Sequence, residues 1–167
     1  LITSSAASDV YKRQEWLEII LENGDIELTA AEINDLQALL KVNELEEFNC
    51  QEVLRSVLNT EQWYRDNKTA SALKQILIRF SAQYIACCKR KDGVRALDPV
   101  ANFHLTNGAR IERLNWLADK SDNGMRKALG LMVNYLYDLE RIEANHEAYS
   151  MDGETALSPE IKRLLKN

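Results

Sequence analysis

Apolar positions change their spacing twice along this chain. From Glu15 to about Arg90 they recur every three to four residues, the spacing of one buried helix face. Glu15–Leu21 reads as a short amphipathic helix, stopped at Asn23-Gly24-Asp25, where glycine tolerates the left-handed conformation of a C-cap. Thr29-Ala-Ala-Glu32 has the form of a capping box: the threonine side chain takes one orphan amide and the glutamate reaches back to another. The helix it opens runs to about Lys41, with Ile33, Leu36, Leu39 and Leu40 on one face. Asn49 and Glu52 repeat the capping logic for a helix through Leu58 that buries Val53, Leu54, Val57 and Leu58. Thr60–Asp66 is a short helical piece carrying Trp63 and Tyr64. The longest helix spans Thr69 to about Arg90; Leu73, Ile76, Leu77, Phe80, Tyr84 and Cys87 follow its period, so most of these are expected in the core. Lys89-Arg90-Lys91 places favourable positive charge at its C-terminus.

The period then shortens. Pro99 cannot continue a helix. Val100–Leu105 and Arg110–Leu117 are therefore predicted as two strands about a turn at Thr106-Asn107-Gly108, since Asn-Gly is a strong hairpin signal. Lys120–Gly124 follows as loop. A last long helix is expected from about Gly124 to Asn145, with Met132, Tyr135, Leu136 and Leu139 inward. Met151–Pro159 reads as a polar linker, and Ser158-Pro159-Glu160 opens a short C-terminal helix with proline in its first turn. The predicted class is mixed α/β and rich in helix. A lone hairpin is marginal in water, so the pattern calls for partner strands beyond these two.

Composition narrows the picture. A chain of 167 residues is one domain or a piece of one. The net charge of −5 argues against a nucleic-acid partner, which selects basic surfaces. The longest apolar stretch, Ala70–Cys88, is interrupted by Lys74, Gln75, Arg79 and Gln83, so it reads as a core helix and not a membrane span. Cys50, Cys87 and Cys88 make neither a disulfide framework nor a CxxC zinc pattern, which fits a reducing compartment. Leu1–Gln14 lacks the charged start and apolar run of a secretory signal and reads as a foreign leader outside the fold, leaving 15–167 as the domain. The end, Leu164-Leu-Lys-Asn167, is not a Ser-Lys-Leu address.

Candidate chemistry centres on His104, one of two histidines, within Asp98–Arg110. Imidazole titrates near neutrality, so a positioned histidine can give or take a proton at physiological pH. His146 lies in a Glu-rich run without the HExxH spacing that a metal requires, and reads as a solvated helix-end residue. Glu18, Glu22 and residues 44–47 read as solvated faces. Arg95, Arg110 and Arg113 surround the expected hairpin, where they could meet phosphates.

Three blocks, LDPVANFHLTNGA (97–109), NWLAD (115–119) and GLMVNYLYDLE (130–140), resemble the C-terminal catalytic region of malonyl-CoA decarboxylases. The resemblance covers nearly everything after residue 14. It implies the later part of a GNAT-type acetyltransferase-like catalytic domain with inserted helices. It implies decarboxylation of malonyl-CoA to acetyl-CoA and CO2, a step in fatty-acid metabolism. His104 then stands where the family has its catalytic histidine, as proton donor to the thioester enolate, and Tyr137 where the family has a tyrosine near the active site. Asn102, Asn107, Gly108 and Arg110 become candidate substrate-binding residues. The family pairs its histidine with a serine in an upstream Ser-Pro-Ile-Pro-Gly-Phe segment; Ser4, Ser5 and Ser8 do not match it, so these 167 residues alone are expected to be inactive. The resemblance implies no metal or organic cofactor, no membrane, a homo-oligomer at full length, and a bacterial cytoplasm, with mitochondrion or peroxisome also compatible. Two other classes fit the residues: a GNAT-type CoA-dependent acyltransferase, and a non-catalytic helical interaction module using the faces at 73–87 and 125–139.

Overall fold

The computed structural model describes residues 2–4, 11–24, 26–40 and 49–166. Asp25, Lys41, residues 44–47, Ser5 and Ser8, all named in the sequence reading, lie outside them. Two compact units divide the chain: residues 15–77, and residues 1–14 together with 78–167.

The first unit is helical, and its helices begin where capping chemistry says they should. Helix α1 covers Tyr11–Asn23. Helix α2 (Ala30–Leu40) starts at a complete capping box: Glu32 N donates to Thr29 Oγ1 at 3.3 Å, and Thr29 N donates to Glu32 Oε2 at 2.8 Å. Helix α3 (Cys50–Leu58) is capped by Asn49 Oδ1, which accepts from Gln51 N at 3.1 Å and Glu52 N at 3.2 Å. Leu36 of α2 and Leu54 of α3 are wholly buried where these helices pack. Trp63–Arg65 makes a single 3₁₀ turn with Trp63 buried. Helix α4 (Asn67–Cys87) starts in this unit and ends in the other.

The second unit is built on a sheet of order β1-β3-β2, antiparallel throughout, with β1 at Ile2–Ser4, β2 at Arg110–Asn115 and β3 at Met132–Leu136. Residues 2–4, which the sequence reading leaves outside the fold, thus form an outer strand along β3. Backbone pairing is blind to side chains, so three extended residues suffice to satisfy that edge.

Two predicted elements differ from those observed. Val100–Leu105, expected as a strand, is part of helix α5 (Pro99–Thr106). Proline is excluded from helix interiors but suits the first turn, and Asp98 before it is the N-cap: its Oδ1 accepts from Val100 N at 3.0 Å and Ala101 N at 2.8 Å. The expected Asn-Gly hairpin turn is instead the helix C-cap. Ala109 N donates to His104 O at 3.0 Å and Gly108 N to Leu105 O at 3.0 Å, a Schellman motif with Gly108 at φ +81°. Both motifs need a residue in the left-handed region, so one dipeptide announces either.

The long helix expected over 124–145 is three elements: α6 (Asp122–Ala128), β3, and α7 (Ile142–Asp152). Helix α6 ends at Leu129, itself left-handed at φ 53°. In β3 the consecutive residues Val133, Asn134 and Tyr135 are all buried, so the strand lacks the alternation that would reveal it. Strand β3 is also the partner that β2 needs, so β2 pairs with it across α6 and not with residues 100–105.

Ile111 and Leu114 lie three apart, which in a regular strand would put them on opposite faces. The register shifts between Ile111 and Arg113, so Ile111 meets Tyr135 and Leu114 meets Val133. This bulge at Glu112 returns both apolar side chains to the core face. The far edge of β2 is covered by the segment read as a polar linker: Ile111 N donates to Ala156 O at 2.9 Å and Ser158 N to Ile111 O at 3.0 Å. Ser158 then caps α8 (Pro159–Leu164), accepting from Ile161 N and donating to Glu112 O at 2.7 Å. No helix among the described residues is long and apolar enough to cross a membrane.

Candidate active site

Helix α5 and strand β3 bring two sequence-predicted residues together. His104, in the last turn of α5, is only 6% exposed. Its Nδ1 shares a 2.8 Å hydrogen bond with the hydroxyl of Tyr137, which follows β3 directly. Among the described residues Nε2 has no hydrogen-bond partner. Three aromatic rings frame the imidazole. Tyr135 stacks on it at 4.2 Å between centroids and 18° between planes. Phe103 meets it edge-on at 5.3 Å and Tyr137 at 5.9 Å.

Burial sets the protonation states. It holds the His104 imidazole below its ordinary value, because a desolvated ring resists charge, and it pushes the Tyr137 phenol above its own for the same reason. Near neutral pH the pair is therefore a neutral imidazole beside a neutral phenol. The shared bond then joins the imidazole's lone pair to the phenol proton, or the ring N–H to the phenol oxygen. The first arrangement leaves the ring proton on Nε2, the edge without a partner.

The remaining predicted site residues build the frame. Asn102 Oδ1 accepts from Tyr149 O–H at 2.9 Å, and the same hydroxyl accepts from Ala96 N at 2.7 Å. This ties α5 to α7 and to the chain entering α5. Asn107 Nδ2 donates to Phe103 O at 2.7 Å, closing the last turn of α5. Gly108 is buried against the start of α7, where an added Cβ would lie 2.3 Å from Ile142 O. Arg110 donates to Glu112 Oε2 at 2.6 Å. It lines a separate cleft of about 190 Å³ with Asp138, Arg141, Asn145 and Lys162. Arg95 pairs with Asp92 at 2.5 Å.

Sequence reasoning missed four residues that shape the site. Tyr135 was expected on a helix, and its stacking partner could not be inferred from that placement. Asp98 carried a legible signal, since an acid before proline is a helix start. Tyr149 gave no sign. His146 is exposed, as expected, and its missed role is to donate Nδ1–H to Thr106 O at 2.6 Å, which fastens the end of α5 to α7.

Comparison with known proteins places the chain among relatives. The family model of the malonyl-CoA decarboxylase C-terminal domain matches residues 2–167. The mitochondrial malonyl-CoA decarboxylase of Anser anser anser is 35% identical over 145 residues, which are 87% of this chain and 28% of that protein. The crystal structure of malonyl-CoA decarboxylase from Rhodopseudomonas palustris superposes with a TM-score of 0.74 at 38% identity, over 97% of this chain and 32% of that one. The Agrobacterium vitis counterpart gives a TM-score of 0.73 at 39% identity, over 95% and 34%. The chain thus spans about a third or less of the relatives it matches.

Proposed function

The chain belongs to the malonyl-CoA decarboxylase family, and from that premise we propose that its His104 site takes part in converting malonyl-CoA to acetyl-CoA and CO2. The observation that carries this reading is the held imidazole: Nδ1 engaged by the Tyr137 phenol at 2.8 Å, with Nε2 unpartnered among the described residues. Breaking the bond to the carboxylate releases CO2 and leaves its electron pair on the α-carbon as a thioester enolate. In this reading Tyr137 O–H donates to Nδ1, so Nε2 holds the ring proton. Nε2 gives that proton to the α-carbon, completing the methyl group of acetyl-CoA. Nδ1 takes the phenol proton in exchange, leaving a phenolate that a proton from solvent restores to the phenol before the next turnover.

This chemistry uses side chains and the CoA thioester alone. We take the sheet and its helices as the later part of a GNAT-type catalytic domain. Turnover is assigned to a longer polypeptide, oligomeric and housed wherever CoA thioesters are, in cytoplasm, mitochondrion or peroxisome. The 167 residues alone should not turn over malonyl-CoA. Asn102, Asn107 and Gly108 act in this reading by holding α5, and Arg110 acts at a distance from the ring.

The test is acetyl-CoA formation from malonyl-CoA by a chimera in which these 167 residues replace the matching part of the Rhodopseudomonas palustris protein. Turnover that His104→Ala lowers by about 100-fold or more supports the reading, the range expected for loss of a general acid. Near-normal turnover by that variant removes His104 from the mechanism.

A further inference from the structure

Tyr135 presents the face of its ring to His104 at 4.2 Å and 18°. Its position is over-determined. It is 1% exposed, its backbone is paired with Ile111 on one side and Ile2 on the other, and its neighbour Val133 is likewise buried on the core face. The platform therefore belongs to the central strand of the sheet and cannot swing away with a loop. His104 sits in the last turn of an eight-residue helix and depends on outside contacts for its ring plane. The Tyr137 hydroxyl holds Nδ1, and Phe103 and Tyr137 meet the ring edge-on. Tyr135 lies against the face of the ring and so resists its tilting out of that plane.

We infer that Tyr135 is a positioning residue for His104: its ring holds the imidazole plane so that Nδ1 meets the Tyr137 hydroxyl and Nε2 is left for the substrate. This rests on the assignment of His104 to the reaction. A stacked aromatic face also favours an imidazolium over a neutral ring, because the negative face of the π system attracts the cation. Tyr137 is the titratable group bonded to the ring. On α7, His146 bonds the Thr106 carbonyl and Asn145 the Gly108 carbonyl. On β2, Arg110 is paired with Glu112.

The experiment compares Tyr135→Phe with Tyr135→Leu. Imidazole nitrogen and proton shifts are read by NMR in the full chain, and kcat and KM in the chimera. In the unsubstituted protein the ring protons of His104 should resonate upfield of a free histidine, from the ring current of the stacked tyrosine. Tyr135→Phe keeps the face and should keep both the His104 titration and kcat. Tyr135→Leu should lower the titration midpoint by roughly half a pH unit and kcat by about 10- to 100-fold, the scale of small misplacements, with KM little changed. Equal loss in the two variants, an unshifted His104 titration in Tyr135→Leu, or no upfield shift in the unsubstituted protein overturns the inference. If the NMR results hold while His104→Ala leaves turnover intact, the platform stands as geometry, the assignment of His104 fails, and the catalytic part of the inference falls with it.

Discussion

Gly108 offers the sharpest test of how the site is held, because Gly93 supplies its control. Both glycines are left-handed, at φ +81° and +72°. A Cβ on Gly93 would meet nothing within 4 Å. A Cβ on Gly108 would lie 2.3 Å from Ile142 O and 2.9 Å from Ile142 C, so the obstacle is the backbone that starts α7. Alanine in the left-handed region costs about 1–2 kcal/mol, offset by roughly 0.4–1 kcal/mol from a stiffer unfolded chain. Gly93→Ala should therefore cost about 1 kcal/mol. Gly108→Ala adds about 1–3 kcal/mol of overpacking. It also weakens the 3.1 Å bond from Asn145 Nδ2 to Gly108 O, worth about 1 kcal/mol. The expected total is about 3–4 kcal/mol. Urea unfolding read by fluorotryptophan NMR measures this, since Trp116 lies in the unit holding the site and Trp16 and Trp63 in the other. Equal losses for the two substitutions would refute the claim that α5 ends against a fixed backbone.

Further outcomes can be measured in the same way. Asp98→Ala removes an N-cap accepting two amides in a buried setting and should cost at least about 1–2 kcal/mol; an unchanged urea midpoint would discount the cap. Burial holds His104 below its ordinary value, so between the two values the unfolded chain binds a proton that the folded chain does not. The stability due to neutral His104 is then full above about pH 6.5 and is lost as pH falls through the folded value. His104→Gln should flatten that acid limb of the urea midpoint, and an unchanged limb would contradict the assigned burial. Tyr137→Phe, which removes the 2.8 Å partner of Nδ1, should lower turnover of the chimera by about 10-fold or more; unchanged turnover would take the phenol out of the proton exchange.

What the sequence made legible were features whose physics is local. Thr29 and Glu32, Asn49, and Ser158 with Pro159 each announce a helix start within four residues, and each forms as expected. The pairing of His104 with Tyr137 was legible only as two family positions, because they lie 33 positions apart with two strands and a helix between them. Of the sheet, β2 was legible at Arg110 and the rest was not, for two reasons. Asn107-Gly108 signals a left-handed residue without saying whether a helix ends there or a hairpin turns. Met132–Leu136 is buried on both faces, so it shows a short apolar run that helix and strand share. Tyr149 and His146 act through single long-range hydrogen bonds, which leave no periodic trace in the chain.

Strand order has a consequence for synthesis. β3, the middle strand, is made last, so β1 and β2 both leave the ribosome before the strand that joins them. Ser4 waits about 130 residues for Val133, some ten seconds at common translation speeds. Until then no part of the sheet exists, and His104 has neither its platform nor its phenol. A translation product that stops short of residue 135 therefore lacks both Tyr135 and Tyr137, however well its helices have formed.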